Sequence, residues 1–167
     1  MARDFQKSRV RSFSKSISDS GGRKVYTSLD FAIKDLTSMY LHLVDLLAIN
    51  NKMIQVVPML IQPHPNRTHT SIYSPSRHAI VCAVGSLHKR KLIHELSHAL
   101  NKQIKNGKRR TIGASHGINY MTIYIFALGL FMFDGDFDHV EQIAQEHGCK
   151  YDSAKLNQLK QQQLERE

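Results

Sequence analysis

Cysteine is scarce in this sequence, which has two in 167 residues. Cys82 and Cys149 form neither a C-x-x-C motif nor a set large enough for a disulfide framework, so a small disulfide-stabilised domain is excluded. The pair favours a reducing compartment, and we expect a cytoplasmic protein, or an intracellular one if a virus encodes it. A chain of this length is most economically one domain whose core needs no disulfide or structural metal.

Long hydrophobic segments are also few. Residues 1–8 are basic and polar without an apolar stretch, so no secretory signal is expected. The longest apolar run, residues 118–133, contains Asn119, Thr122 and Gly129 and is short for a membrane span. We therefore predict a helix that is buried on most sides, and no membrane partner.

Acidic residues are outnumbered, with 14 Asp and Glu against 23 Lys and Arg and a net charge of +9. The excess lies in residues 1–24 and 85–115. Positive charge raises affinity for phosphate backbones without sequence specificity, so DNA contact is one interpretation and simple solvation the other. In the second region, the candidate nucleic-acid-binding residues are Lys102, Lys105, Lys108, Arg109 and Arg110.

The most specific motif is His94-Glu95-Leu96-Ser97-His98, which has the H-E-x-x-H pattern. Helix residues four apart share a face, so His94 and His98 can present both imidazoles to one metal ion. Glu95 lies on the adjoining face, where its carboxylate can accept a proton from a water that the metal activates. Apolar residues at helical spacing support a helix here: Leu92, Ile93, Leu96, Ala99, Leu100 and Ile104.

Patterns along the chain predict an α+β fold. Residues 1–24 are expected to form a flexible basic arm, 25–150 one domain, and 151–167 a polar C-terminal helix or tail that frays. Within the domain, a helix capped by Ser28 precedes β-rich segments at 53–62, 68–73 and 78–83. The motif helix is expected to start near Ser86 or Leu87. The apolar helix and a short helix at 139–146 follow, with Gly148 as its C-cap.

A catalytic zinc site needs a third protein ligand and an open position for water. The metzincin pattern is excluded, because Asn101 and Ile104 stand where it has glycine and histidine. Glu141 or Glu146 from a later helix could serve, as could His116 at the start of the apolar helix. Four other histidines have no ligand spacing and are not expected to bind metal: His64, His69, His78 and His88.

The motif, the basic loop after it and Ser115-His116-Gly117 together resemble the SprT-like metalloproteases, the family that includes Spartan. That family completes H-E-x-x-H with a third histidine in a G-H-G-x-x-[FW] segment. The resemblance covers about residues 28–135. This chain differs at Ser115, where glycine is usual, and at Tyr120, where Phe or Trp is usual, and no four-cysteine zinc ribbon follows.

The resemblance implies a zincin-like fold, and the order of the predicted elements places a small, mainly antiparallel sheet before the motif helix. The resemblance also implies that His94, His98 and His116 hold Zn²⁺, that Glu95 is catalytic, and that the substrates are DNA-associated proteins. The first hypothesis is therefore a zinc-dependent endopeptidase, with three candidate partners for the oxyanion: Tyr120, Tyr124 and His88.

Two alternatives remain open from the residues alone. The chain could be a non-catalytic, basic nucleic-acid or partner-binding protein with a structural zinc site. An intact Glu95 argues against this, because a structural site has no need of that carboxylate. Alternatively, the protease could use Glu141 as its third ligand. The sequence does not indicate an oligomeric state.

Overall fold

The computed structural model describes residues 6–20, 24–50, 60–63, 71–83, 87–104 and 116–166. These residues form α-helices and a small sheet, so the expected α+β class is confirmed. The chain divides into two compact units, residues 23–106 and residues 1–22 together with 107–167. In chain order the elements are α1 (Lys7–Asp19), α2 (Leu29–Asn50), β1 (Leu60–Pro63), β2 (Ile72–Ser74), β3 (Ala79–Cys82), α3 (Lys89–Ile104), α4 (Ile118–Met132), α5 (Phe137–Glu146) and α6 (Ser153–Leu164).

In the unit that contains both chain ends, α4 is the central helix and packs against α5 and α6. Its side chains are buried almost without interruption from Tyr120 to Gly129, which confirms the prediction of a helix buried on most sides. A Cβ on Gly129 would lie 2.5 Å from Cδ1 of Phe137, so the glycine permits the close approach of α5. Among the described residues, none of the helices combines the length and apolar character that crossing a membrane requires.

Helix α1 occupies the segment that the sequence predicted to be a flexible arm, and here the prediction was wrong. Its apolar side chains are buried at positions i, i+3 and i+7: Val10, Phe13 and Ile17. Phe13 meets Tyr124 of α4 edge to face with 5.7 Å between ring centroids, and the Ser14 hydroxyl lies 3.1 Å from the Tyr124 hydroxyl. The helix is therefore part of the packed core of this unit.

Side chains cap the two C-terminal helices. Asp136 accepts a hydrogen bond from the His139 N–H at the start of α5, and Asp152 accepts one from the Lys155 N–H at the start of α6. Gly148 follows α5 with a φ of +62°, as expected of a C-terminal glycine. Helix α6 does not lie apart as a fraying tail, because its Leu156 and Leu159 are fully buried.

The other unit packs α2 and α3 with the three-stranded sheet. The Ser28 hydroxyl accepts a hydrogen bond from the Phe31 N–H, which confirms its predicted capping of α2. The strand order is β1-β3-β2, with β2 antiparallel and β1 parallel to β3. The expectation of a mainly antiparallel sheet was therefore wrong. The short turn after β2 forces it to pair antiparallel with β3, while β1 occupies the opposite edge of β3 in the same direction.

Helix α3 begins at Lys89, later than the predicted start near Ser86 or Leu87. The backbone before it pairs with the segment before α2, through bonds from the Tyr26 N–H to the Leu87 carbonyl and from the Lys89 N–H to the Lys24 carbonyl, both 2.9 Å. Residues 87 and 88 are thus in extended pairing and cannot join the helix. Segments 53–59, 64–70 and 84–86, which carry other predicted strand and turn residues, lie outside the described residues.

Candidate metal centre

His94 and His98 lie one turn apart on the same face of α3, as their spacing predicted. Their Nε2 atoms are 3.2 Å apart, and the ring planes meet at 79° with 4.8 Å between centroids. Two nitrogen ligands of a tetrahedral zinc ion, each about 2.0–2.1 Å from the metal, are separated by about 3.4 Å. The spacing of the two imidazoles therefore fits a shared metal ion.

His116 precedes α4, and its ring packs edge-on against Tyr120, with 5.0 Å between centroids and an interplanar angle of 90°. One potential ligand atom from each of His94, His98 and His116 lies within 4.8 Å of the other two. All three side chains are partly buried. Three imidazoles at this separation are close enough to bind one metal ion.

Glu95 is held by the backbone of the neighbouring sheet. The Tyr73 N–H in β2 donates a hydrogen bond of 2.7 Å to Oε2 of Glu95, while Oε1 lies 4.0 Å from Nε2 of His94. Burial raises the pKa of the Glu95 carboxyl to about 7, and the hydrogen bond from Tyr73 opposes that rise. A cation at the histidines would further favour the carboxylate form.

The position of α3 is fixed at its buried face and at its first residue. Leu92, Ile93, Leu96 and Leu100 are fully buried at helical spacing, which turns the opposite face with its histidines outward. At the first residue, Lys89 Nζ forms a 2.9 Å ion pair with Asp35 of α2. The Tyr26 hydroxyl donates to the same carboxylate, and burial together with this bond raises the Tyr26 pKa.

Glu141, the alternative third ligand, has both carboxylate oxygens in hydrogen bonds. Oε1 accepts from the Tyr151 hydroxyl at 2.8 Å, and Oε2 accepts from Lys160 Nζ at 2.7 Å. Among the described residues, the metal-ligating group consists of the three histidines and does not include Glu141 or Glu146. Among the described residues, the possible third ligand is therefore His116 and not a C-terminal acid.

The candidate oxyanion partners occupy different settings. Tyr120 and Tyr124 are fully buried on α4, and the Tyr124 hydroxyl is within hydrogen-bonding distance of Ser14. His88 forms an isolated antiparallel bridge with Val25 just before α3. The structure therefore gives Tyr120 and Tyr124 packing roles and His88 a backbone pairing role.

Of the five candidate nucleic-acid-binding residues, only Lys102 lies in the described part of the chain. Its side chain is exposed, and Nζ donates a 3.1 Å hydrogen bond to the Pro75 carbonyl. The other four, Lys105, Lys108, Arg109 and Arg110, lie outside the described residues.

Three residues near the histidines and Glu95 were missed by sequence reasoning. Tyr73 contributes a backbone N–H, which any residue except proline would supply. The residue type at this position therefore gives no indication of the contact with Glu95. The Gln6 side chain donates a 3.0 Å hydrogen bond to the His116 carbonyl across 110 residues. Asn101 lies on the helix face of His94 and His98 and has a buried Oδ1 without a hydrogen-bond partner in the described chain. Its place on that face is readable from spacing.

Comparison of the chain with protein-family models, curated proteins and solved structures finds no significant match. The interpretation of the histidine cluster therefore depends on its geometry and on the short motifs in the sequence.

Proposed function

We propose that the protein is a zinc-dependent endopeptidase. The observation that carries the proposal is the grouping of His94, His98 and His116 within 4.8 Å, with the partly buried carboxylate of Glu95 beside His94 on α3. Three protein ligands leave a fourth coordination position for water or substrate, which is characteristic of catalytic rather than structural zinc. The resemblance of the two short motifs to SprT-like metalloproteases supports the same assignment.

Zinc is the proposed metal because of the donor set. Imidazole nitrogen is a preferred zinc ligand, whereas magnesium and calcium prefer oxygen donors. When bound, zinc would supply Lewis-acid polarisation of the scissile carbonyl and lower the pKa of an attacking water. His94, His98 and His116 would hold the ion, and the ring of Tyr120 would keep the His116 imidazole in one orientation.

Glu95 is the proposed general base. Its Oε2 is held by the Tyr73 N–H, and its Oε1 is the oxygen that lies toward His94. From this position the carboxylate would take a proton from the attacking water and donate it to the leaving amine. A non-catalytic protein with a structural zinc site would have no need of a carboxylate at this position, which favours the enzyme over that alternative.

Strand β2 is the proposed binding edge for an extended peptide. In an antiparallel pair, alternate residues direct both backbone polar groups away from the partner strand. Tyr73 is such a residue, because its N–H donates to Glu95 instead of to β3. A peptide that lies along this edge would therefore pass beside the general base, and main-chain hydrogen bonds would align it with little dependence on its sequence.

A second proposal is that α1 contacts polyanions such as DNA, which would recruit the enzyme to DNA-associated substrates. Lys7, Arg11 and Lys15 follow at four-residue spacing and are all exposed, so they form one basic stripe along α1, on a flank of its buried face. Such a stripe would raise the affinity for DNA through contacts with phosphates, and this gain would not depend on the DNA sequence.

The proposed function is tested first by measuring bound zinc per chain in the wild-type protein and in His116→Ala. We expect about one zinc in the wild type and a large loss in the variant, because two histidines alone would remain. Unchanged zinc content in His116→Ala would reject the three-histidine site. An absence of zinc in both proteins after reconstitution would reject the proposed function.

Catalysis is tested by Glu95→Gln with an unstructured protein such as casein as substrate. The variant should retain zinc and lose cleavage by at least about a hundredfold, in line with the contribution of general bases. Equal cleavage by the wild type and the variant would contradict the role of Glu95.

Recruitment by α1 is tested with the double substitution Arg11→Gln and Lys15→Gln. Its control is Lys34→Gln with Arg77→Gln, which removes the same charge from exposed sites in the other unit. We expect the α1 variant alone to lower the slope of log affinity for duplex DNA against log salt by about two. Equal slopes for both variants would reject the stripe as a specific contact.

A further inference from the structure

The side chain of Gln6 connects the start of α1 to the backbone of a proposed metal ligand. Its Nε2 donates hydrogen bonds to the carbonyl of His116 at 3.0 Å and to the carbonyl of Lys150 at 3.2 Å. Its Oε1 accepts from the N–H of Lys150. The side chain is only 7% exposed, so both ends of the amide are buried and satisfied by main-chain groups.

This use of Gln6 is unusual for its position. Gln6 is the N-cap residue of α1, where a side chain ordinarily accepts a hydrogen bond from the first turn of its own helix. Here the side chain makes no such bond, although the Gln6 carbonyl accepts the first helical bond from the Val10 N–H. The amide is therefore committed to distant segments at the expense of capping its own helix.

His116 depends on outside contacts for its orientation. Its carbonyl belongs to the peptide unit that joins His116 to Gly117, the N-cap residue of α4. No side-chain hydrogen bond caps this end of the helix. The bond from Gln6 fixes the direction of this carbonyl, while the ring packs against Tyr120 one turn later. The peptide plane and the ring are thus fixed by different residues, and together they set where the imidazole points.

We propose that Gln6 is a positioning residue for the metal centre: by holding the His116 carbonyl, it preorganises the third imidazole for metal binding. The inference rests on the proposed function, because it assumes that His116 is a ligand. It also assigns α1 a role in the chemistry beyond packing. Outer-shell groups that orient metal ligands commonly change metal affinity by about 10- to 100-fold when they are removed.

The test compares Gln6→Glu with Arg9→Met. The first substitution keeps the size of the side chain and replaces the amide donor by an oxygen that repels the two carbonyls. The second removes another bond from α1 to the same turn, from the Arg9 guanidinium to the Gly148 carbonyl at 2.9 Å, and leaves His116 untouched. Both variants loosen the attachment of α1, but only Gln6→Glu changes a contact with His116, the proposed metal ligand.

Zinc affinity is measured by competition with a chromophoric chelator, and metal-free thermal stability is measured alongside it. We expect Gln6→Glu to weaken zinc binding about tenfold, and Arg9→Met to change it by less than about twofold even if it lowers the melting temperature as much. Equal loss of affinity in the two variants, or unchanged affinity in Gln6→Glu, would overturn the proposal.

A second readout does not require metal. The amide of Gly117 shares its peptide unit with the His116 carbonyl, so its nitrogen and proton NMR shifts report the bond from Gln6. They should move in metal-free Gln6→Glu and remain in place in Arg9→Met. If Gln6→Glu does not fold, Gln6→Met serves in both measurements, because it removes the donor without adding charge.

The outcomes distinguish this proposal from the proposed function. Zinc binding that is lost in His116→Ala but unaffected in Gln6→Glu would reject only the role of Gln6. Failure of the wild type to bind zinc would reject both. Unchanged Gly117 shifts in the variant would reject the positioning contact whatever the metal affinity.

Discussion

Asn101 has a buried side chain with one unsatisfied hydrogen-bond acceptor. It follows His98 by one turn of α3, is 7% exposed, and its Oδ1 has no hydrogen-bond partner in the described chain. An unsatisfied buried acceptor costs about 1–3 kcal/mol. Replacing the amide with an apolar group of similar size should therefore stabilise the protein.

We predict that Asn101→Leu raises the free energy of unfolding of the metal-free protein by about 1 kcal/mol or more, as measured by urea denaturation. Leucine also has the higher helix propensity, which contributes a few tenths of a kcal/mol. Asn157→Leu on the exposed face of α6 is the control for that smaller effect. A gain no larger than that of the control would mean that Oδ1 is satisfied in solution.

The two cysteine thiols should be poorly reactive in the folded protein. Cys82 and Cys149 are free and buried, and burial raises the pKa of each thiol to about 11, opposed at Cys149 by the nearby Arg9. Because the thiolate is the reactive form, a thiol with this pKa remains protonated at pH 8. We predict slow reaction with Ellman's reagent in buffer and rapid reaction of two thiols in urea. Rapid labelling of the native protein would contradict this burial.

At the scale of the element, α1 should contribute much of the stability of its unit. Phe13 is fully buried against Tyr124, so Phe13→Ala removes a large apolar surface and leaves a cavity. We predict a loss of about 3–5 kcal/mol in the free energy of unfolding. Phe31→Ala is the matched control, because Phe31 is 64% exposed and its loss should change stability by less than about 1 kcal/mol. A loss of unfolding free energy in Phe13→Ala that is no larger than the small loss expected for Phe31→Ala would mean that Phe13 does not belong to the core.

The difference between α1 and α3 explains which elements the sequence could predict. Helix α3 has a dense apolar stripe and histidines whose four-residue spacing has meaning only on a helix, so its face was predictable. Helix α1 has the same spacing in Val10, Phe13 and Ile17, but serine, arginine and lysine surround these residues. Its burial is decided by the surfaces of α4 and α5, which local patterns do not describe.

The sheet and the candidate site each combine features that the sequence could predict with features that it could not. The sequence predicted a strand at 78–83, and the structure confirms it as the buried strand β3. Strand direction depends on partners far along the chain, so the parallel pairing of β1 was missed. Spacing and resemblance named His94, Glu95, His98 and His116. The backbone donor from β2 and the amide of Gln6 could not be found, because their roles follow from tertiary placement.

At the scale of the whole molecule, the histidine cluster predicts that metal binding stabilises the folded chain. A ligand that binds only the folded state adds about 3 kcal/mol when its free concentration is one hundred times its Kd. For a chain of this size that corresponds to a rise in melting temperature of roughly 5–10 °C. We predict such a rise on adding zinc to metal-free protein, measured by calorimetry and reversed by EDTA.

Two controls assign that stabilisation to the three imidazoles. Magnesium at the same concentration should leave the melting temperature unchanged, because it prefers oxygen ligands to imidazole nitrogen. His116→Ala should show a smaller zinc-dependent rise than the wild type, since His94 and His98 alone would bind zinc more weakly. An equal rise in the variant would mean that zinc stabilises the fold through other groups, whereas no rise in the wild type would mean that the cluster does not bind zinc in solution.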